Sequence, residues 1–482
     1  MAKHKKGGIV GLFLILFGVA LVAFVVCVAI LMLSPNVSIL GISYKTITNQ
    51  TTTITRINGE LLEVGNFDEI RIETSGRQVE FVADSFGGNA HISVQDKMNY
   101  SGFYKRNDQD KSMFKLVVEK KTSQSVFSEF DENGTNKILF VTVNIPAGLA
   151  FKNDGRLIVH VPDYFDKAVS ITSNGGSVEV GKYYSNEPTK KFNINNLTIN
   201  SGGGQVDIGS LVTVHKSLKV ETSTGNVNYL ANEKDVARFE IKSSNGKFSS
   251  SKDAIKATEF ALGGDNIQIA LSTTLDGSVN LDDADGRISL SKVTKSVYCS
   301  ADKPCRAELK IKEIGESLNL SKAHCDFVEI DKVGGSAFVC NDGGDVKISS
   351  ANGDVNITTT HSKIILKNAN GIINLSTKSG EMSLENVGGQ LNIVATERAN
   401  INAKIDSLSN ASNITTKGKI NVKLQAGLAF MFSTNKNNQS FQYGGLVSAP
   451  PESGFAFMAN TTTIVSTSLV LNGEEGVALE QK

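Results

Sequence analysis

From about residue 170 onward, apolar side chains fall on alternate positions in short runs, and the runs return every ~18 to 21 residues. Val279 and Leu281, Val297 and Cys299, Leu318 and Leu320, Ala337 and Val339, Val355 and Ile357, Ile373 and Leu375, and Leu391 and Ile393 each frame one residue between them. A second pair follows in each unit: Leu309 and Ile311, Val328 and Ile330, Val346 and Ile348, Ile364 and Leu366, Met382 and Leu384, Ile401 and Ala403. A spacing of two places both members on one face of a strand, where a helix would need three or four. One unit cannot bury such a face alone, but units stacked at about 4.8 Å would bury a continuous column. The pattern predicts an all-β chain whose residues 169–430 form a parallel β-solenoid of roughly a dozen coils, on the order of 60 Å long. A β-sandwich or a run of hairpins explains the alternation but not the sustained period. Gly334, Gly335, Gly353, Gly371, Gly388 and Gly389 punctuate the units, with looser copies at Gly175, Gly202, Gly225 and Gly246. They are expected to supply the positive φ of tight turns.

The first third of the chain departs from this pattern. Residues 9–33 are apolar or small without a charge, and as a helix they would span roughly 37 Å, enough to cross a hydrocarbon core. A cleaved signal peptide is the competing reading, but the apolar run is too long for one and no small-residue cleavage site precedes Ser34 and Pro35. Lys3, Lys5 and Lys6 lie in the 1–8 tail, and the next basic residue is Lys45, so the tail is expected in the cytoplasm and the remainder outside the cell. Residues 34–60 are polar and Thr-rich and read as a stalk. Strand-like segments at 69–73, 79–82, 114–119, 138–145 and 157–161 make 61–168 an irregular β-segment leading into the solenoid, and 431–482 is expected to cap it.

Composition agrees with strands and turns: 44 Gly, 7 Pro and no Trp. The 49 basic and 49 acidic residues balance, and no Lys/Arg run occurs beyond the N-terminus, which argues against nucleic acid as a partner. The six histidines are scattered, and neither HExxH, GxSxG nor a phosphate-binding glycine loop is present, so no catalytic residue or cofactor is assigned. Asp282, Asp283 and Asp285 make one acidic turn, which can ligate calcium or serve as an Asx-rich turn, and it lacks the remaining spacing of a calcium loop. Four cysteines, Cys299, Cys305, Cys325 and Cys340, crowd into adjacent units. A zinc site with His324 would want a CxxC spacing that is absent. Cys299 aligns with Leu320 and Val339 and should point inward, Cys340 outward. Cys305 and Cys325 lie one repeat apart and form the candidate disulfide. The residue framed by each first pair forms an outward column of Asn280, Tyr298, Asn319, Phe338, Asn356, Asn374 and Asn392. Stacked Asn can hydrogen-bond along a ladder, and Tyr298 and Phe338 interrupt it as outward aromatics. Tyr298, Asn319, Phe338, Asn356 and Asn374 are therefore the candidate binding face, against the plainer reading of ladder packing.

Residues 143–148 (VNIPAG) and 157–181 (LIVHVPDYFDKAVSITSNGGSVEVG), followed by the glycine-turn repeats, resemble the bacterial adhesin-type domains of unknown function over about residues 60–430. The resemblance implies a β-solenoid at the cell surface or envelope without an established activity, and it carries over no catalytic residues. The extra cysteines and the Phe-containing C-terminal tail depart from it. The expected function is a membrane-anchored, non-enzymatic module for binding, adhesion or display, with a glycan or surface protein as partner. A polysaccharide-active enzyme and an envelope sensor are the alternatives.

Overall fold

The computed structural model describes residues 156–182, 189–426 and 467–481 without a break, together with 17–23, 68–74, 76–84 and further short segments. The chain is all-β, and its body is a parallel β-solenoid of about 11 turns spaced about 21 residues. Each turn gives one strand to a first sheet, one to a second, and a shorter extended piece to a third side. In the first sheet Val279, Val297, Leu318, Ala337, Val355, Ile373 and Leu391 stack in register. Ile288, Leu309, Val328, Val346, Ile364, Met382 and Ile401 do so in the second. The third side stacks Val293, Ile314, Val333, Ala351, Ala369, Val387 and Ile405. All of these are buried. Each full-sized aliphatic among them contributes about 1.5 to 3 kcal/mol of burial, so the alternation read from the sequence is the core of the protein.

Coil length and core size change together. Asn266 donates to Asn245, 21 residues earlier, whereas Asn374 donates to Asn356, 18 residues earlier. The longer coils enclose aromatics: Phe239 lies 4.9 Å from Tyr229, 5.4 Å from Phe260 and 5.9 Å from Phe248, centroid to centroid. The shorter coils hold aliphatics, with Ala351 and Ala369 at the third side. Close packing leaves no alternative, because a coil with three fewer residues encloses less volume.

The solenoid reaches beyond the expected 169–430. Glu69–Thr74 and Val79–Asp84 pair in parallel and in register with Ala168–Thr172 and Val178–Val180. Residues 69–84 are thus a coil, and not an irregular lead-in. Ser468–Gly473 and Gly476–Gln481 likewise stack on Ser412–Thr416 and Lys419–Leu424 as a further coil. Both were hidden because long excursions interrupt the period. Strands of those excursions cover the ends: Met113–Val118 pairs with Glu69–Thr74 and Leu157–Pro162 with Val79–Asp84, while Met431–Thr434 pairs with Ser468–Gly473 and Gln439–Tyr443 with Gly476–Gln481. An uncovered terminal coil would leave a row of unpaired amides and carbonyls open to other chains. From the stalk region, Thr52–Ile54 pairs with Ser93–Asp96.

Residues 17–23 are helical and, apart from the half-buried Gly18, exposed. The rest of the expected 9–33 span lies outside the described residues, and among the described residues no helix is long and apolar enough to cross a membrane.

Most of the turn glycines have a different role from the expected one. Of the glycines read as tight-turn residues, Gly175, Gly202 and Gly389 have a left-handed φ. Gly225 and Gly246 do not, nor does the neighbouring Gly204, yet a Cβ on each of these three would overlap the carbonyl oxygen of the glycine in the coil below. They allow the coils to approach at the corner. Left-handed backbone is instead carried also by Asn174, Asn266, Asn368, Asn386, Asp235 and Asp283.

Leu375 is buried between Ile357 and Ile393, and Asn374 beside it faces out. Leu375→Asp should cost about 3 to 5 kcal/mol, as an unpaired charge in the core. Asn374→Asp should cost about 1 kcal/mol, through the amide bond it makes to Asn356. Urea unfolding midpoints of the two variants check this, and equal losses would contradict the register.

Candidate functional site

The outward column of the first sheet is assembled as expected: Asn280, Tyr298, Asn319, Phe338, Asn356, Asn374, Asn392 and then Asn413 are cross-coil partners. Parallel stacking without offset puts like side chains about 4.8 Å apart, which an Asn amide can bridge. Asn374 Nδ2 donates to Asn356 Oδ1 at 2.6 Å, and Asn392 Nδ2 to Asn374 Oδ1 at 2.8 Å. Asn319 accepts from Ser321 Oγ at 2.9 Å and stays exposed.

The two aromatics differ. Tyr298 is half-buried, and its hydroxyl donates to Glu259 Oε2 at 2.6 Å, 39 residues earlier, while Arg238 holds the other oxygen of Glu259 at 2.7 Å. Burial pushes the Tyr298 phenol up to about 12, reinforced by the bond to Glu259. Its ring is tied back along the sheet. Phe338 is 46% exposed between Asn319 and Asn356 and is the free aromatic of the face.

Charge is distributed unevenly around the coil. On the outer face of the first sheet, between Ser296 and Thr415, the three outward columns are filled by Asn, Ser, Thr, Gln, Phe338, Tyr298, Ile372, Val394, Cys340, Ala411 and one carboxylate, Asp354, with Lys322 exposed in the bulge of its strand and Glu316 at the edge, accepting from Ser296. Asp354 Oδ1 accepts from the Ile372 amide at 2.8 Å, so it is turned to the backbone. The other sides carry cross-coil ion pairs: Lys292–Glu313–Lys332 at 3.2 and 3.4 Å, Lys347–Glu329 at 2.6 Å, Lys363–Glu381 at 3.0 Å and Lys367–Glu385 at 2.7 Å. Glu313 and Glu385 are held below the usual carboxylate range by hydrogen bonds from Lys292 and Lys367. Upstream the first sheet is charged too. Burial works to raise Glu240 there, but Arg238, Lys219 and Lys242 together hold it low.

On the outer face of the second sheet lies a shallow groove of about 690 Å³, running across successive coils from Asn226 to Lys310. It exists because Ser249, Ala270 and Ser289 are small where later coils place Lys310, Glu329 and Lys347. Sequence reading missed it, although the run of small outward residues was a visible signal.

The cysteines follow the predicted register. Cys299 pairs with Leu320, itself paired with Val339, and is buried, its thiol donating to Lys322 O at 3.2 Å. Cys340 pairs with Thr358 on the outside. Cys305 and Cys325 are buried thiols with sulfurs 3.7 Å apart, Cys325 donating to Cys305. That bond, together with burial, pushes the Cys325 thiol well up. His324 faces Asp342 at 3.8 Å, and among the described residues no three His, Cys, Asp or Glu are placed to hold a metal. In the acidic turn Asp282 Oδ1 accepts from the Ser300 amide at 2.7 Å and Asp283 takes a left-handed φ.

A second missed feature is a buried polar corner. Gly225 N donates to Thr222 Oγ1 and Gly246 N to Ser243 Oγ, at 2.9 and 2.7 Å, and Thr359 donates to Thr377 at 3.0 Å. Asn341, fully buried, accepts from the Cys325 amide and donates to the Cys325 and Gly344 carbonyls. These side chains satisfy turn groups that would otherwise be buried without a partner. The Ser/Thr-x-x-Gly spacing at 173–176, 201–204, 222–225 and 243–246 was the signal.

Two measurements check this geometry. The Tyr298 phenol ionises near 10 when unfolded and near 12 when folded, so the stability it adds is complete below pH 10 and is lost as pH rises through 12. Alkaline unfolding between pH 10 and 12 should therefore be shallower in Tyr298→Phe than in the parent. In native protein kept reduced, iodoacetamide should modify Cys340 before Cys299, Cys305 and Cys325, which should react only on unfolding, as read by peptide mass mapping.

Compared with protein-family models, curated proteins and solved structures, the chain matches none.

Proposed function

We propose that the chain is a membrane-tethered surface protein whose β-solenoid is a rigid rod for binding or display, in line with its resemblance to adhesin-type domains. The observation that carries this reading is the division of charge around the coil. Ion pairs lace the second sheet, the third side and the upstream part of the first sheet, while between Ser296 and Thr415 the first sheet keeps an almost uncharged, mainly Asn/Ser/Thr face with Phe338 on it. Exposed amides and hydroxyls around one aromatic suit a neutral polar partner, a glycan or a protein surface, because little desolvation of charge opposes contact. The tether is the apolar 9–33 segment, with Lys3, Lys5 and Lys6 directing the short tail inward. Outside the cell, Cys305 and Cys325 are the pair that thiol–disulfide exchange would join, since Cys299 faces in and Cys340 out.

The enzyme alternative is weaker. Glycoside hydrolysis ordinarily needs two carboxylates facing one bond. The groove on the second sheet is lined by one, Glu308, and that one is engaged by Arg287 at 3.3 Å and Lys310 at 3.0 Å.

The test is a glycan and matrix-protein array probed with the full chain in mild detergent. A ligand of the neutral face should bind at least about tenfold more weakly to Phe338→Ala, since an exposed aromatic anchor concentrates binding energy. Undiminished binding would remove this face from the proposal, and cleavage of an arrayed glycan would favour the enzyme. A tag after Lys482 that resists protease on intact cells would overturn the topology.

A further inference from the structure

Around the groove on the second sheet, three cations meet one carboxylate. Lys247, Arg287 and Lys310 line it with Glu308. Glu308 is shared between Arg287 and Lys310, so it neutralises one of them. Lys247 makes no ion pair among the described residues, and the Arg287 side chain is 82% exposed despite its contact. Farther along this sheet Lys347 meets Glu329 and Lys363 meets Glu381, each cation with its own carboxylate, while Lys404 donates to the Asn386 amide. In the groove one carboxylate faces three cations, and there the outward side chains also shrink to Ser249, Ala270 and Ser289. Excess positive charge and a recess therefore coincide.

From these observations we infer that the groove binds an anionic linear carbohydrate, such as a uronic-acid chain, lying along the solenoid axis. The recess is open rather than closed and runs across the coils, which suits a segment of a polymer. Coils repeat at about 4.8 Å, close to the advance of one pyranose along an extended chain, so each coil can address one sugar with a similar outward group. The floor offers the hydroxyls of Ser249 and Ser289, and the amides of Asn226 and Gln268 stand beside it. These groups match sugar hydroxyls, and the flanking cations match carboxylates. An acidic peptide would share the charge but would want open apolar pockets for alternate side chains, and the apolar lining, Phe248, Ile269 and Ile288, is buried beneath the exposed Ser249, Ala270 and Ser289. The inference rests on the reading of the chain as a binding module but uses a different face from Phe338.

The experiment measures binding of fluorescently labelled hexagalacturonate, a neutral hexaglucan and hexaglutamate to the full chain in mild detergent, at low and moderate salt. The acidic hexasaccharide should bind at least about tenfold more tightly than the neutral one, and more weakly as salt rises. Ser289→Tyr, which fills the floor from an exposed strand position, and Lys247→Gln, which removes the unpaired cation, should each weaken it several-fold. Phe338→Ala should leave it unchanged. Unaltered melting curves of the variants separate lost binding from lost fold. Equal binding of the neutral chain, tighter binding of hexaglutamate, or indifference to Ser289→Tyr would each overturn the proposal. Failure of the neutral face on the array, with hexagalacturonate still bound, would leave the groove standing.

Discussion

Parallel stacking without offset is the constraint on which the molecule depends. The strands of one coil hydrogen-bond to those of the next in register, interrupted by a few bulges, so strand residues lie above their counterparts one turn earlier, about 4.8 Å away. A position that faces in must face in throughout, and the core becomes columns of Val, Ile and Leu rather than a mosaic. A position that faces out must tolerate its own neighbour. Asn does so by bonding amide to amide, and Lys and Glu do so by alternating, since like charges at this distance repel. Each exposed ion pair adds at most about 1 kcal/mol. Their larger effect is to forbid a slip of one coil.

The same constraint governs shape. Coil circumference and core volume must agree locally, so the 21-residue coils carry the Phe239 cluster and the 18-residue coils carry aliphatics and alanine. Corners bring backbones close together, and glycine is placed where a methyl group would strike the coil below. Turn amides buried at the corner are met by Ser, Thr and Asn341. The two ends, where stacking must stop, are covered by strands drawn from long excursions of the same chain.

Function is confined to what the stack leaves outside. Because neighbouring coils place similar groups in line, stretches of a face acquire a character: one neutral and amide-lined, others charged, with a recess where three small residues follow one another. Such surfaces are long, shallow and repetitive. The arrangement does not converge many side chains on one point, as a closed cleft does.

Alternation by two and a period near 20 determined the strands, the inward columns and the outward Asn column, because periodicity needs only local spacing and the rule that apolar faces are buried. They also placed Cys299 inward, Cys340 outward and Cys305 beside Cys325. What lay beyond the sequence was any property set by contact between coils. Residues 69–84 and 468–481 joined the stack across interruptions that erase a period. Tyr298 folded back to Glu259 instead of standing out, which depends on a partner 39 residues away. Gly225 and its counterparts were chosen for approach rather than for φ, and the groove arose from side-chain size compared across adjacent coils. These are distances between segments far apart in the chain, and only the packed structure decided them.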